Sequence, residues 1–346
     1  MKRVVIDRPG GPKILKVVSE ADPVPGPGEV VIRCRACGVN YADSIIRMGL
    51  YASARKLHGY PITPGFEVAG TVEAVGDSVS DWQPGDEVIG LTLFNGYASH
   101  LVLPAEGVFA KPERLDFEQA ATVATVFLTA WWMIHRQVHP QPGETWLVHS
   151  AAGGVGTALL QLGRLAGARV IGVVGASHKV EHALSFGADT VIDKSTQDLW
   201  SVARERAPGG FNAIFDANGV ATLGNSYAHL APTGRLVVYG FASMLPKNGR
   251  PNWLRLARDW LRTPRFNPLD MTQSNRSVLA ANLSFLQSHA PTMRAGMQWL
   301  LDRFADGRLA PLPVESWPLT DAATAQRRIE SGQTVGKLAL IPRQRP

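Results

Sequence analysis

The stretch Trp146-Leu-Val-His-Ser150-Ala-Ala-Gly153-Gly-Val-Gly156 is the most informative part of the chain. In it an apolar run leads directly into a glycine-rich turn, and an apolar segment with helical periodicity follows. Gly153 and Gly156 stand at the second and third glycine positions of a G-x-G-x-x-G fingerprint, and Ala151 replaces the first. The helix predicted to begin near Gly154 would point its amides at a pyrophosphate. The stretch therefore predicts a dinucleotide-binding turn.

Short apolar runs alternate with predicted helices from this turn onward. They begin at Thr145, Arg169, Asp189, Phe211 and Arg235, about 20 to 24 residues apart. That spacing is typical of strand-helix-strand units around a parallel sheet. We therefore predict an α/β domain with a Rossmann-type, doubly wound parallel sheet.

The end of the second predicted strand indicates which cofactor the turn would bind. An Asp or Glu there binds the adenosine ribose of NAD, but the segment Val173-Val-Gly-Ala-Ser177-His-Lys179 contains no acid. Ser177 could donate a hydrogen bond to a ribose phosphate, and Lys179 could supply charge, so the segment favours NADPH. Lys194, after the third predicted strand, is either a second cation for the phosphate or an ordinary surface lysine.

Composition favours a two-domain protein of a reducing compartment. The chain has 346 residues, and its two cysteines exclude a disulfide framework. The first residues, Met1-Lys-Arg-Val-Val-Ile-Asp7, lack the apolar core of a signal peptide, and no apolar run is long enough to span a bilayer. We therefore expect a cytoplasmic location.

The net charge of +6 is concentrated in one segment, which argues against nucleic-acid binding. Tryptophan and leucine recur in that segment at helical spacing and predict an amphipathic basic helix. Such a helix could lie on an anionic membrane surface, cover an apolar substrate pocket or pack at a subunit interface. Segment 247–265 is thus a candidate for weak membrane contact. Its charged residues are Lys247, Arg250, Arg255, Arg258, Asp259, Arg262 and Arg265.

The rest of the chain differs from the parallel-sheet part. The first 125 residues contain short strand patterns and many turn signals, and the segment from about Pro311 resumes that style. We therefore predict a discontinuous, mostly β domain made of 1–125 and 267–346. The predicted cofactor domain, 126–266, is inserted between these two parts.

Several motifs occur in an order that is more specific than any one of them. They are Gly38–Asp43, Pro64–Gly70, Val75-Gly76, Pro84–Val88, Ala120–Thr122, Leu128–Trp131 and the glycine turn. On these residues the chain resembles the medium-chain dehydrogenase/reductase superfamily, in its zinc-free quinone oxidoreductase branch, over essentially its whole length. Segments Asn252–Trp260 and Gln273–Arg276 look most like the vesicle amine transport protein homologues of that branch. The resemblance implies that the mostly β domain is a GroES-like catalytic domain.

No metal site is expected. Asn40 stands where the family's zinc enzymes have their first cysteine ligand, and Phe66 stands where they have a histidine. Cys34 and Cys37 have C-x-x-C spacing without a second pair, so we expect buried structural cysteines. We also treat His135, His139 and His149 as structural.

The resemblance implies a substrate site in the first domain. Asn40 and Thr129 would hydrogen-bond near the nicotinamide, and Tyr51 would line the site. Tyr51 would orient the acceptor oxygen or donate a proton, or would act only as an aromatic wall. Arg47 either stabilises a developing enolate or quinol oxygen or is part of a surface salt bridge. Glu67 is explained as well by a structural partner as by a role as general base.

The catalytic candidates are therefore Asn40, Tyr51 and Thr129. From the glycine turn, from the second strand and from the resemblance, the expected cofactor contacts are Asn40, Thr129, Ala152, Gly153, Gly154, Val155, Gly156, Ser177, Lys179, Lys194, Asn218, Gly240, Phe241, Ser243 and Lys337.

The function expected from these residues is zinc-independent hydride transfer from NADPH to a quinone or an α,β-unsaturated carbonyl. Without zinc to acidify a hydroxyl, an electron-poor acceptor is a better substrate than an alcohol. The resemblance also implies a homodimer. The alternatives are a membrane-associated lipid-binding protein that retains the cofactor fold, and a structural protein like the crystallins.

Overall fold

A computed structural model describes residues 1–245 and 252–342 and divides the chain into two compact units. Within the described ranges, the first unit comprises 1–128 and 284–342, and the second comprises 129–245 and 252–283.

The strands of the described residues are β1 (Lys2–Val5), β2 (Lys16–Ser19), β3 (Glu29–Val39), β4 (Glu67–Val75), β5 (Glu87–Leu91), β6 (His100–Pro104), β7 (Val108–Ala110), β8 (Thr145–Val148), β9 (Arg169–Val174), β10 (Thr190–Asp193), β11 (Phe211–Asp216), β12 (Leu230–Val238), β13 (Ser277–Ala280), β14 (Val314–Pro318) and β15 (Lys337–Ile341). The α-helices are α1 (Tyr41–Arg47), α2 (Phe117–Trp132), α3 (Gly154–Leu165), α4 (Val180–Ser185), α5 (Leu199–Arg206), α6 (Leu223–Ala228), α7 (Trp253–Arg262), α8 (Pro268–Ser274), α9 (Ala290–Ala305) and α10 (Ala322–Glu330).

The second unit contains the predicted parallel sheet. Its six strands lie in the order β10-β9-β8-β11-β12-β13, and every neighbouring pair is parallel. The strand order reverses between β8 and β11, which is the switch point of a doubly wound sheet, where such folds bind dinucleotides. The Rossmann prediction is confirmed, and the glycine turn leaves the sheet at this switch point.

The first unit is the predicted mostly β domain. Its main sheet runs β14-β15-β3-β4-β5-β7, with β6 paired to β3, and its pairs are antiparallel except β14 with β15. Because β15 pairs with β3, the end of the chain returns to this unit as predicted. The core of the unit is built from apolar side chains of these strands and of α10.

The expected domain boundary at residue 267 is wrong. Residues 267–283 belong to the second unit, because β13 extends the parallel sheet by pairing with β12. A run of four residues, Ser277-Val-Leu-Ala280, carries this pairing, and its pattern is too short to distinguish a parallel from an antiparallel strand. The first boundary falls between residues 128 and 129, where we expected it between 125 and 126.

Both cysteines are free and buried in the core of the first unit. Residues three apart in a regular strand point to opposite faces, but the pairing of β3 with β4 shifts register between Cys34 and Ala36. This bulge brings Cys34 and Cys37 to the same core. Burial raises the pKa of the Cys34 thiol, as expected for a structural cysteine.

Candidate functional site

The glycine turn of the second unit has the geometry of an anion-binding helix start. Gly153 caps α3 in an extended conformation, and the helix begins at Gly154 as predicted. A Cβ atom at Gly156 would lie 2.2 Å from the carbonyl oxygen of Ser150, so only glycine fits there. Gly153, Gly154 and Val155 are half-buried, and amides in the first turn of a helix have no partner within that helix. The turn therefore fits a pyrophosphate. Ala152 beside it is buried.

The predicted cofactor residues after β11 and β12 meet at the same edge of the sheet. The Ser150 hydroxyl donates to Asn218 Oδ1 at 3.2 Å, and the Ser243 amide donates to the Asn218 carbonyl at 2.9 Å. A Cβ at Gly219 would lie 2.7 Å from Phe241 Cδ1, so these two loops are in close contact. Gly240 leads into this contact, and a Cβ there would lie 2.8 Å from the Ala217 carbonyl oxygen.

A buried network that the sequence reasoning missed lies under this edge. Asp216 at the end of β11 accepts from the Thr222 hydroxyl at 2.7 Å, from Ser226 at 2.8 Å and from the Asn218 amide at 2.8 Å. His149 Nε2 is 3.1 Å from the Ser226 hydroxyl, and burial lowers the pKa of His149. The network therefore holds the loop that carries Asn218. The signal that could have revealed it is the sequence Asp-Ala-Asn-Gly, which is typical of an Asp that turns the chain.

Ser177 has a partner within the protein that the sequence did not predict. Its hydroxyl donates to Asp193 Oδ2 at 2.6 Å, so its proton is not directed to a ribose phosphate. Asp193 Oδ1 also accepts from the amide of Ser195 at 2.9 Å and from its hydroxyl at 2.6 Å. These hydrogen bonds, that of Ser177 foremost, lower the pKa of Asp193 and keep it ionised. Asp193 is the last residue of β10, and no sequence pattern indicated that it would be the partner of Ser177.

The two predicted phosphate lysines lie near this carboxylate along the chain. Lys179 is half-buried and Lys194 is exposed. Lys194 Cε lies 3.5 Å from where a Cβ at Gly175 would be, so this side chain extends over the end of β9. Lys194 thus lies beside the strand end where a ribose would be bound.

Asn40 lies in a buried polar cluster of the first unit. Its Nδ2 donates to Glu67 Oε1 at 2.8 Å, and Lys337 Nζ donates to its Oδ1 at 2.7 Å. Lys337 Nζ also donates to the Val39 carbonyl at 2.9 Å and to Glu67 Oε1 at 3.1 Å. Asn40, Glu67 and Lys337 are 7%, 0% and 4% exposed. We name these three side chains the Asn40 cluster.

The Asn40 cluster corrects the expectation for Lys337 and resolves that for Glu67. Three acceptors engage the three protons of the Lys337 ammonium, so no donor is left for a cofactor phosphate. The other Glu67 oxygen accepts from the Thr125 amide at 2.8 Å, so Glu67 has the structural partners that we considered. The three residues of the cluster are far apart in the sequence. The sequence therefore did not show that they contact one another, although Lys337 and Glu67 were each considered as candidates.

Asp43, in the first turn of α1, is a second buried carboxylate beside Asn40. It accepts from the Asn40 amide at 2.8 Å, from the Tyr97 hydroxyl at 2.9 Å and from the Gly65 amide at 3.1 Å. Burial raises its pKa to about 7, against the effect of these donors. Asp43 therefore titrates near neutral pH.

Tyr51 has both a polar partner and aromatic neighbours. Its hydroxyl is 2.8 Å from the Ser284 hydroxyl, and its ring meets the edge of Phe66 with centroids 6.0 Å apart. Phe66, at the position of the family's histidine ligand, also contacts Phe94 at a centroid distance of 5.9 Å. Burial raises the pKa of Tyr51, so the phenol keeps its proton at neutral pH. Tyr51 could therefore donate a proton as well as form an aromatic wall.

Arg47 belongs to a buried salt bridge. It pairs with Glu330, donates to Gln326 Oε1 at 2.7 Å and donates to the Gly10 carbonyl at 2.6 Å. Arg47 is 0% exposed, so its salt bridge lies in the core, and the expectation of a surface salt bridge is wrong.

Thr129 lies on α2 at the start of the second unit and is half-buried. Among the described residues, no group of three or more His, Cys, Asp or Glu side chains is placed to hold a metal ion.

The predicted amphipathic helix is present as α7. Its Trp253, Leu254, Trp260 and Leu261 are 67%, 86%, 66% and 69% exposed, whereas Asp259 is 5% exposed. The apolar residues thus face away from the rest of the chain. Lys247 and Arg250 of the predicted segment lie outside the described residues. Across residues 1–245 and 252–342, no helix is both long enough and apolar enough to cross a membrane.

Comparisons with known proteins agree with both units. Residues 26–113 match the family model described as alcohol dehydrogenase GroES-like domain, and residues 154–292 match zinc-binding dehydrogenase. The human synaptic vesicle membrane protein VAT-1 homolog is 35% identical over 93% of this chain and 81% of its own. The Escherichia coli quinone oxidoreductase, solved in complex with NADPH, is 28% identical with a TM-score of 0.84, over 99% of this chain and 100% of that one.

The CurK enoyl reductase structure is 29% identical with a TM-score of 0.83, over 99% of each chain. A Rossmann sheet with its glycine turn, a GroES-like unit and relatives matched over nearly the whole length all agree. The chain belongs to the medium-chain dehydrogenase/reductase superfamily, among the VAT-1 homologues and quinone oxidoreductases.

Proposed function

We propose that this oxidoreductase is an NADPH-dependent, metal-independent reductase of quinones or α,β-unsaturated carbonyls. The observation that carries the proposal is the Asn40 cluster. Where the family's zinc enzymes have a thiolate ligand, this chain has an amide whose two polar atoms are bound by Glu67 and Lys337. That arrangement suits hydrogen bonding to a substrate or a nicotinamide better than metal binding.

The cofactor would be held mainly by the second unit. The space that Gly156 leaves and the amides of the first turn of α3 fit the pyrophosphate, and the Asn218 and Ser243 loops lie at the same sheet edge. NADPH would supply a hydride, which carries both electrons, and with one proton the acceptor would be reduced to a quinol or a saturated carbonyl. Asn40 and Thr129 would orient the nicotinamide end.

Tyr51 would provide the proton that balances the reaction. Its raised pKa keeps the phenol protonated at neutral pH, and the Ser284 hydroxyl, 2.8 Å away, can donate to its oxygen. A protonated phenol can donate a hydrogen bond to a carbonyl oxygen and then transfer its proton as negative charge develops there. Water would return the proton to Tyr51.

NADPH is proposed over NADH because β9 ends without an acidic residue and because Lys179 and Lys194 flank that end. The Escherichia coli quinone oxidoreductase, which is similar in fold, was solved with NADPH. Asp193 opposes this preference, since its carboxylate takes the Ser177 proton. The lysines would therefore bear most of the phosphate recognition.

The decisive experiment follows the absorbance of NADPH in the presence of purified protein. A simple quinone and a conjugated enone are added in separate reactions, and NADH replaces NADPH in matched controls. Oxidation of NADPH with either acceptor supports the proposal and ranks the two substrate classes. Tight NADPH binding without turnover of either acceptor would contradict it.

A second candidate function, membrane association with lipid binding, is favoured by α7. Its exposed Trp and Leu side chains lie beside Arg255, Arg258 and Arg262, a combination that suits an anionic lipid surface. Co-sedimentation with vesicles of phosphatidylcholine alone, and of phosphatidylcholine with phosphatidylserine, tests it. Binding only to the anionic vesicles, and its loss in the Arg255→Ala/Arg258→Ala variant, would support this function. Equal recovery with both vesicle types would contradict it.

A cytoplasmic location and a homodimer are also part of the leading proposal. Light scattering during gel filtration tests the dimer, for which we expect about twice the chain mass of 37.4 kDa. A monomer at micromolar concentration would contradict it.

A further inference from the structure

The Asn40 amide lies between two groups of opposite charge. A carboxylate only accepts hydrogen bonds and an ammonium only donates them. Because Glu67 Oε1 is 2.8 Å from Nδ2 and Lys337 Nζ is 2.7 Å from Oδ1, only one orientation of the amide is compatible with both neighbours. The alternative orientation would place the Asn40 NH2 group against an ammonium and its oxygen against a carboxylate.

We propose that Lys337 is a positioning residue that acts through Asn40 and does not contact the cofactor. Its ammonium and the Glu67 carboxylate hold the amide with one Nδ2 hydrogen directed to Glu67 and the other free to donate to the reacting molecules. The inference rests on the proposed function, since it gives a reason for the role of Asn40 in that reaction.

The charges also strengthen Asn40 as a donor. An ammonium that binds Oδ1 draws electron density from the amide, which makes the second Nδ2 hydrogen more positive. Such polarisation is larger inside a protein than in water, and the cluster is almost completely buried. A neutral side chain at position 337 would remove this polarisation and one of the two groups that orient the amide.

The surroundings fix the cluster itself. Thr125 donates its amide to Glu67 Oε2 at 2.8 Å, so the carboxylate is tied to α2. A Cβ at Gly38 would lie 2.6 Å from Glu67 Cγ and 2.1 Å from the Ala121 carbonyl oxygen, so β3 approaches both closely only because residue 38 is glycine. Glu67, which holds Asn40, is therefore itself held by neighbours that the reaction does not use.

The test compares Lys337→Met with Lys337→Arg in the full-length protein. Lys111→Met is the matched control, because Lys111 is also a nearly buried lysine, bonded to the Leu115 carbonyl at 2.7 Å, and has no part in the cluster. Four quantities are measured: the turnover number, KM for the acceptor, the dissociation constant of NADPH, and the side-chain NH2 resonances in protein labelled with 15N-asparagine. The resonance lost in Asn40→Ser identifies Asn40.

For Lys337→Met we expect kcat to fall about tenfold or more, because a charge-assisted hydrogen bond is lost. NADPH affinity should stay within about threefold of the original, since less than 1 kcal/mol of binding is at stake. The Asn40 NH2 resonance should shift, and its protons should exchange faster with water. Lys337→Arg should restore most of the turnover and shift the Asn40 resonance less than Lys337→Met does, and Lys111→Met should change neither turnover nor resonance.

An Asn40 resonance that is unchanged in Lys337→Met would overturn the proposal, and so would a loss of NADPH affinity larger than the loss of kcat. The resonance and the binding constant do not depend on turnover, so they decide the question even if the protein reduces neither acceptor. If Lys337→Met does not fold, the resonance in Lys337→Arg decides, because the longer guanidinium must shift it detectably if residue 337 binds the amide.

Discussion

Asp43 shows how burial sets the properties of a single residue in this protein. Three donors surround its carboxylate, yet burial dominates and raises its pKa to about 7. From the sequence we quoted Asp43 only as part of a motif. Nothing local marks it as buried, because an Asp in the first turn of a helix is usually a solvated partner of the helix dipole.

The raised pKa of Asp43 predicts a pH-dependent stability. In the unfolded chain Asp43 releases its proton near its ordinary pKa, whereas the folded protein keeps it until about pH 7. The stabilisation is thus fully present below about pH 4 and is lost as pH rises to 7, by an amount on the order of 4 kcal/mol. Urea unfolding of the protein and of Asp43→Asn from pH 4 to 8 measures it. The free energy of unfolding of the original protein minus that of Asp43→Asn should decrease as pH rises. A difference that does not decrease would contradict the prediction.

Cofactor preference should depend on Lys179 and Asp193 in opposite directions. Lys179→Ala should weaken NADPH about tenfold or more and leave NADH nearly unchanged, because only NADPH carries the ribose phosphate. Asp193→Asn should strengthen NADPH binding, because it removes a negative charge beside the expected ribose phosphate and weakens the hydrogen bond that holds the Ser177 proton. Fluorescence titration with both cofactors checks this. Equal losses of NADPH and NADH in Lys179→Ala would refute the phosphate assignment.

At the scale of elements, the sequence pattern predicted the parallel sheet and most of its strand starts, but it did not predict where β12 begins. The starts of β8, β9 and β11 agree with the predicted runs. β12 begins at Leu230, five residues before the predicted Arg235, because the chain pairs at Leu230 with Phe211 and again after a register shift. Irregular pairing of this kind depends on the neighbouring strand, so a periodic pattern does not contain it.

The start of α3 offers a test at this scale. Gly156→Ala places a methyl group 2.2 Å from the Ser150 carbonyl oxygen, so the turn must move. We expect NADPH affinity to fall about tenfold or more, because the amides that face the pyrophosphate shift. Gly209→Ala is the control, since a Cβ there has nothing within 4 Å. Unchanged NADPH binding in Gly156→Ala, measured by titration, would argue against the turn as the phosphate site.

At the scale of the whole molecule, the first unit is built from both ends of the chain. β15 lies between β14 and β3, and the Arg47–Glu330 pair joins α1 to α10. The two residues of this pair are 283 positions apart. The sequence reasoning placed both ends in one domain from their similar patterns, but it could not tell which side chains meet.

Breaking this pair should cost much more than breaking a surface pair. Arg47→Met leaves Glu330 buried without its partner, so we expect a loss of about 3 to 5 kcal/mol in the free energy of unfolding. Arg308→Met, which breaks the exposed pair with Asp306, should cost less than about 1 kcal/mol. Denaturant unfolding compares them, and the double variant Arg47→Met/Glu330→Met should recover much of the loss. Similar losses of unfolding free energy in Arg47→Met and Arg308→Met would contradict the assignment of Arg47–Glu330 as a buried pair.

The sequence by itself determined the Rossmann sheet, the glycine turn and the return of the chain end to the first unit. Each depends on contiguous residues, because hydrophobic period and glycine geometry are local properties. Only the tertiary structure decided the partners of the polar side chains. Lys337 meets Asn40 across 297 positions, and Ser177 meets Asp193 across 16. Buried polar groups are stable only when they are hydrogen-bonded, and the fold decides which groups come within reach of one another. Residues distant in the sequence form these pairs, so no local sequence pattern predicts them.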